Sequence, residues 1–112
     1  MNRLIQRKIV EIPEHDSVIA YKKLTKDMRS PYRHHTYEIG KTYHSHCFTG
    51  DYRIEGFFSM HKSCTDAWAG DIVFEVAIWG NVLFINNDNI ESEYLKILKK
   101  VKDRCFDERS FL

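Results

Sequence analysis

One run of strand-forming residues constrains the fold of this chain more than any other segment. Residues 72–79, with the sequence IVFEVAIW, are almost all β-branched, aromatic or aliphatic, and Gly70-Asp71 and Gly80-Asn81 bound them. Such residues favour extended backbone, and near-continuous apolarity indicates a strand covered on both faces. We therefore predict a central strand over 72–79. Residues 82–85 follow the second turn and are the predicted hairpin partner of that strand.

Shorter strands are predicted where β-forming residues lie between glycine-containing turns, over 17–22, 36–39, 42–44 and 52–58. Two further segments follow the 3.6-residue period of a helix instead. Ser59 is placed to cap a short helix over 60–68. A longer helix is predicted over 89–105, with an apolar stripe that consists of Ile90, Tyr94, Ile97, Leu98, Val101 and Cys105.

These elements predict one α+β domain over residues 1–112, built on a mostly antiparallel sheet. The chain has 17 Lys and Arg against 16 Asp and Glu, so it lacks the basic excess of a typical nucleic-acid or membrane-surface binder. Three widely spaced cysteines (Cys47, Cys64 and Cys105) indicate a reducing compartment and structural thiols. With no signal-peptide pattern at its start, the chain is predicted to be cytoplasmic, without membrane contact.

Histidine and cysteine cluster in the middle of the chain. His44 and His46 would share one face of a strand, and His61 and Cys64 would share one side of a helix. These four side chains have the chemistry of a tetrahedral zinc site. Ordinary surface histidines and a core thiol explain the same residues, because no pair has the tight spacing of a zinc motif. We therefore predict no metal and no cofactor, and keep this set as an alternative.

A second alternative is enzymatic. The order of Tyr21, Ser59 and a late Glu-x-Glu ending at Glu93 resembles the ADP-ribosyltransferase scheme. The resemblance implies a nicotinamide dinucleotide as substrate and these three residues as the catalytic set. Lys22 stands where that scheme requires Arg or His. Carboxylates in the first turn of a helix are also explained by the helix dipole, so we predict no catalytic residue.

The clearest basic segment is 21–35, in which cationic residues alternate with aromatic ones. Arginine and tyrosine commonly anchor protein interfaces and can also stack on unpaired bases. The predicted contact residues are Lys22, Lys26, Arg29, Tyr32 and Arg33, and the lysines of the predicted C-terminal helix form a second contact surface. The balanced total charge favours an acidic protein partner over a nucleic acid.

Several short motifs recur in the order found in a family of small, uncharacterised phage and prophage proteins. They are Ala20-Tyr21-Lys22, Tyr37-Glu38-Ile39-Gly40-Lys41-Thr42-Tyr43, Gly56-Phe57-Phe58-Ser59 and Ile72-Val73-Phe74-Glu75-Val76 with Gly80. The chain resembles this family over about residues 19–100, although Phe58 and Met60 replace its His and Cys. The resemblance implies a phage or mobile-element accessory protein that binds a host or defence macromolecule, without catalysis.

Overall fold

The computed structural model describes residues 8–31, 35–45, 56–62, 69–86 and 89–103. Within them the chain forms one six-stranded antiparallel sheet. Its strands are β1 Lys8–Ile12, β2 Val18–Leu24, β3 Thr42–His44, β4 Phe57–Ser59, β5 Ile72–Asn86 and β6 Asn89–Asp103. A short 3-10 turn, Glu14–Asp16, separates β1 from β2.

The long β5–β6 hairpin forms the centre of the sheet. β1 and β2 lie one after the other along the outer edge of β5. β3 and β4 lie in the same way along the outer edge of β6. Beyond β4, the backbone N–H of Met60 donates to the carbonyl of Tyr21, and the N–H of Tyr21 donates back to Met60, both at 2.9 Å. This pair joins β4 to β2, so the sheet curls round a concave face.

The predicted α+β class is wrong, because the segment predicted as the C-terminal helix is β6. Four register shifts interrupt the β5–β6 pairing, and two of them place an extra residue in β6, at Leu98 and Val101. The buried residues of β6 therefore do not show a simple period of two, and their spacing imitates a helix. The asparagine-rich segment before β6 is a hairpin signal, and Asn86 does pair with Asn89 across that connection.

The central strand predicted over 72–79 is confirmed. β5 lies between β2 and β6, and it is buried on both faces, with Val73 and Trp79 on one side and Phe74 and Val76 on the other. Residues 82–85 are not its hairpin partner. Gly80, with φ of 82°, and Asn81 form a bulge, and the strand continues through them to Asn86.

The shorter predictions have mixed outcomes. The strands over 17–22 and 42–44 correspond to β2 and β3, and the end of the 52–58 segment corresponds to β4. Thr36 and Ile39 make isolated bridges instead of a strand. Met60 continues the extended chain after β4, where a helix over 60–68 was predicted, and residues 63–68 lie outside the described residues. No helix in the described ranges is long and apolar enough to cross a membrane.

The hydrophobic core lies on the concave face. It consists of Ala20, Leu24, Tyr37, Phe74, Val76, Ile78, Val82, Ile90, Leu95 and Ile97, with Tyr43 and Phe57 packed against it. Lys22 lies between Ala20 and Leu24 on β2, and alternation places its side chain on the same face as theirs. The sheet therefore carries a lysine at the border of its core.

Candidate functional site

A pocket of about 540 Å³ lies beside β4 and β2. Apolar walls come from Pro31, Phe57, Phe58 and Met60, among other residues. Its polar groups are the side chains of Lys22, Lys23, His35, Ser30, Ser45 and Ser59. This size and this mixture of apolar walls with a few polar groups are typical of ligand sites. We call it the Lys22 pocket.

Lys22 is 8% exposed, which is rare for a lysine. Its Nζ donates to the backbone carbonyl of Phe58 at 2.5 Å and lies 5.5 Å from the centre of the Tyr37 ring. The aliphatic stem extends along the apolar face while the ammonium reaches β4. Burial of a charge costs free energy unless polar or aromatic groups compensate for it, and the carbonyl and the ring do so here.

Ser59 faces Lys22 across the junction of β4 and β2. Because Tyr21 pairs with Met60 in antiparallel fashion, the next residue of β2 and the preceding residue of β4 stand opposite each other. Ser59 is 3% exposed, and its Oγ has no hydrogen-bond partner. A buried hydroxyl without a partner loses its hydration without compensation. The lining of the pocket therefore includes a residue whose buried hydroxyl makes no hydrogen bond.

Four aromatic rings form one cluster, which we call the ring cluster: His35, Tyr37, Tyr43 and Phe57. Every pair among them is in contact, with centroid distances from 4.4 to 6.4 Å. The Tyr43 hydroxyl accepts a hydrogen bond from the backbone N–H of Glu38 at 2.8 Å, which fixes one ring. Three of the four rings, all except Tyr43, line the Lys22 pocket.

Two lysines, Lys22 and Lys23, are among the described residues that line the pocket. The pKa of His35 lies below its ordinary value of 6.5, first because burial disfavours the charged ring and then because Lys22 and Lys41 repel it. An anionic group in the pocket would therefore lie close to these cationic side chains.

Gly56 forms part of the pocket wall, and Glu91 holds it in place. The fully buried Glu91 of β6 accepts a hydrogen bond at Oε2 from the backbone N–H of Gly56 at 2.8 Å. A Cβ atom at position 56 would lie 2.4 Å from Glu91 Cγ. Only glycine allows this approach of the two chains, and it places the start of β4 against β6.

A second polar cluster, the Glu93 junction, consists of Glu93, Asn81 and His44. Glu93 Oε1 accepts from the backbone N–H of Asn81 at 3.0 Å and from its side-chain amide at 3.1 Å. His44 Nε2 donates to Oε2 at 2.9 Å. Burial alone would raise the pKa of Glu93, but these hydrogen bonds outweigh it and lower the pKa. The carboxylate thus fixes the β5 bulge and links it to β3.

An aromatic stack runs across the same strands. The Trp79 and Tyr94 rings are almost parallel, with centroids 5.4 Å apart, and His44 stacks on Tyr94 at 4.3 Å. Trp79 is 6% exposed, so this stack offers little surface to a ligand. It orients the His44 imidazole towards Glu93.

The structure does not place the whole alternative catalytic set in the Lys22 pocket. Ser59 lines the Lys22 pocket, but Tyr21 and Glu93 are not among its lining residues. The Glu93 carboxylate is held by Asn81 and His44 instead. The Glu-x-Glu lies on a strand, and its two carboxylates hold the backbones of two different segments.

Two of the four alternative metal ligands, His44 and His61, lie among the described residues. His44 belongs to the Glu93 junction, His61 is exposed, and His46 and Cys64 lie outside the described residues. In the described part of the chain, no three His, Cys, Asp or Glu residues are grouped to hold a metal ion. Cys47 and Cys105 also lie outside the described residues.

The predicted contact residues occupy two places. Lys22 lies inside the pocket, whereas Lys26 and Arg29 are exposed on a turn between β2 and Ser30. In this turn the N–H of Thr25 donates to the Arg29 carbonyl, and the N–H of Met28 donates to the Thr25 carbonyl, both at 2.9 Å. Tyr32 and Arg33 lie outside the described residues. Among the lysines predicted on a helix, Lys99 and Lys100 are exposed on β6.

Sequence reasoning missed the ring cluster and the burial of Lys22. The signal for Lys22 was present, since strand alternation places it with Ala20 and Leu24. The ring cluster had no such signal, because residues 35, 37, 43 and 57 meet only through the curl of the sheet.

Comparison with known proteins gives no relative. No family model matches the chain, no curated protein is similar to it, and no solved structure shares its fold at a significant level. The resemblance to phage proteins therefore stays a prediction.

Proposed function

We propose that this chain is a binding domain without chemistry of its own, which recognises an anionic group of a macromolecular partner in the Lys22 pocket. One observation carries the proposal: a buried Ser59 hydroxyl without a hydrogen-bond partner stands opposite a buried lysine in a pocket of about 540 Å³. An anion is the ligand that accepts from both donors.

The surroundings of the pocket support a protein partner. The basic turn that carries Lys26 and Arg29 continues directly into Ser30 and Pro31, which line the pocket. A partner with an acidic surface round the inserted anion would meet this turn. The proposed setting, a phage accessory protein that acts on a host or defence protein in the host-cell cytoplasm, depends on the sequence resemblance alone.

The test is capture of the partner by the tagged chain in host cells, with three variants compared. Lys22→Met removes the charge of the pocket lysine and keeps the volume of its aliphatic stem. We expect it to reduce capture at least about tenfold, because one charge-assisted hydrogen bond to the ligand is lost. Lys26→Glu with Arg29→Glu should reduce capture and its salt dependence. Lys99→Glu with Lys100→Glu, at two exposed lysines of β6, is the charge-matched control. We expect no effect, which would also remove these lysines from the predicted contact surfaces.

Two results would overturn the proposal. One is capture that is equal for the wild-type chain and Lys22→Met, with both proteins folded by circular dichroism. The other is hydrolysis of nicotinamide dinucleotide by the purified chain that disappears in Glu93→Gln, since this result would make the chain an enzyme.

A further inference from the structure

We infer that the Lys22 pocket takes the C-terminal residue of a partner protein, with an aromatic side chain in the ring cluster and the terminal carboxylate between Lys22 and Ser59. The inference rests on the proposed function and names the group that the pocket recognises. It combines two neighbouring features of the site, a ring-lined wall and an anion-binding pair.

The spacing of the two features fits a single residue. Phe57 and Ser59 are two positions apart on β4, so their side chains point to the same face about 7 Å apart. Phe57 belongs to the ring cluster, and Ser59 faces Lys22. In a C-terminal aromatic residue the ring and the carboxylate are separated by a similar distance. One residue can therefore contact both features.

The backbone pairing of Tyr21 with Met60 favours the end of a chain over an internal segment. These hydrogen bonds join β4 to β2 next to Lys22 and Ser59. The two paired backbones leave no gap through which a bound peptide could continue. A chain that passed through would also have to bury peptide groups against apolar walls. A C-terminal residue stops at this point and leaves a carboxylate to accept hydrogen bonds.

The donors fit a carboxylate better than a phosphate. A carboxylate carries one negative charge and accepts from the Ser59 hydroxyl and a lysine. Phosphate carries nearly two charges and three acceptor oxygens, and it is commonly held by arginine. Lys22 faces the Ser59 hydroxyl, and its single positive charge matches the single negative charge of a carboxylate. An aromatic residue with a free carboxylate is therefore favoured over phosphotyrosine.

Fluorescence anisotropy with labelled peptides tests this inference. The probe is a short Gly/Ser peptide that ends in phenylalanine with a free carboxylate. Its matched controls are the same peptide with a C-terminal amide, and a free acid that ends in glycine. We expect the free phenylalanine acid to bind about tenfold more tightly than either control, because each control lacks one of the two recognised groups.

Ser59→Ala is the variant that best separates ligand affinity from stability. The Ser59 hydroxyl makes no hydrogen bond in the unbound protein, so its loss should leave the free energy of unfolding unchanged or raise it. It should weaken the phenylalanine acid about fivefold or more and leave the amide unchanged. Competition by free 3-phenylpropanoate should displace the labelled peptide, since this small acid carries the same two groups.

Three outcomes would overturn the inference: equal binding of acid and amide, equal binding of the phenylalanine and glycine acids, or tighter binding of an amidated phosphotyrosine peptide. If cellular capture depends on Lys22 while no C-terminal peptide binds, the inference fails and the proposed function stands. If capture is also independent of Lys22, both fail.

Discussion

The Lys22 pocket and the Glu93 junction lie on the same small sheet, and each places charge at the border of the core. At the junction, the Glu93 carboxylate accepts hydrogen bonds from Asn81 and His44, so its acceptors are satisfied within the chain. At the pocket, the Ser59 hydroxyl lacks a partner, and Lys22 lies opposite it. The hydrogen bonds of the junction therefore support the structure, whereas the pocket contains the unpartnered hydroxyl on which the proposed binding depends.

This difference separates stability from function. Changes at the junction should alter the free energy of unfolding, because they remove satisfied hydrogen bonds. Changes to Ser59 should alter ligand affinity and leave stability almost unchanged. Glycines packed against a glutamate side chain should show the largest effects on the free energy of unfolding. At those positions the side chain of one strand lies directly against the backbone of another.

The largest effect is expected at Gly56, where a methyl group would lie 2.4 Å from Glu91 Cγ. Because Glu91 is fully buried and cannot move into solvent, Gly56→Ala should lower the free energy of unfolding by about 3 kcal/mol. Urea denaturation measures this change. In the double variant with Glu91→Ala the two effects should be less than additive. Strict additivity would show that the Glu91 contact does not explain the requirement for glycine.

Gly80→Ala should cost somewhat less, about 2 kcal/mol. Gly80 has φ of 82°, which strains any residue with a Cβ atom, and that atom would lie 2.7 Å from a carbon of the Tyr94 ring. Tyr94 is only half-buried and can shift, so the contact is less rigid than that at Gly56. Thermal unfolding of the two variants side by side gives the ranking, and a larger loss for Gly80→Ala would reverse our comparison.

Glu93→Gln should lower the free energy of unfolding at neutral pH by about 1–2 kcal/mol, since the hydrogen bonds of a carboxylate are replaced by weaker ones. The folded-state pKa of Glu93 lies below its ordinary value of 4.5, so its stabilisation is complete above that value and is lost as the pH falls through the folded pKa.

Wild-type and Glu93→Gln proteins should therefore converge in stability at acid pH, which denaturant titrations from pH 7 to pH 3 would show. Peptide binding in the Lys22 pocket at neutral pH should be the same for both. A constant stability difference across this range would show that the Glu93 charge is not the source of the stabilisation.

The smallest effect is expected for His35. Its folded-state pKa is below 6.5, so the unfolded chain binds more protons as the pH falls through 6.5, and the folded state loses stability until His35 itself is protonated. His35→Gln should flatten this dependence of stability on pH.

An anionic ligand in the pocket would raise the pKa of His35, so binding should take up protons and tighten as the pH falls. Calorimetry in two buffers measures the uptake, and none is expected for His35→Gln.

The sequence predicted β5 and most of the short strands because their β-branched and aromatic residues carry a local signal. It failed at β6 because two register shifts put an extra residue into that strand, which hides the alternation and leaves apolar residues at helical spacing. The site was predicted only in part. Lys22 and Ser59 were named for other roles, and Lys26 and Arg29 do lie on an exposed turn, while His35, Tyr37 and Phe57 went unrecognised.

The sequence by itself determined that residues 72–79 and several shorter segments extend and that the total charge is balanced, since these depend on neighbouring residues and composition. Only the tertiary structure decided that Lys22 and Ser59 face each other and that four rings meet beside them. Those contacts depend on the pairing of Tyr21 with Met60, which are 39 positions apart, and on the curl of the sheet. Strand pairing over such a separation leaves no periodic trace in the sequence, so the pocket appears only after folding.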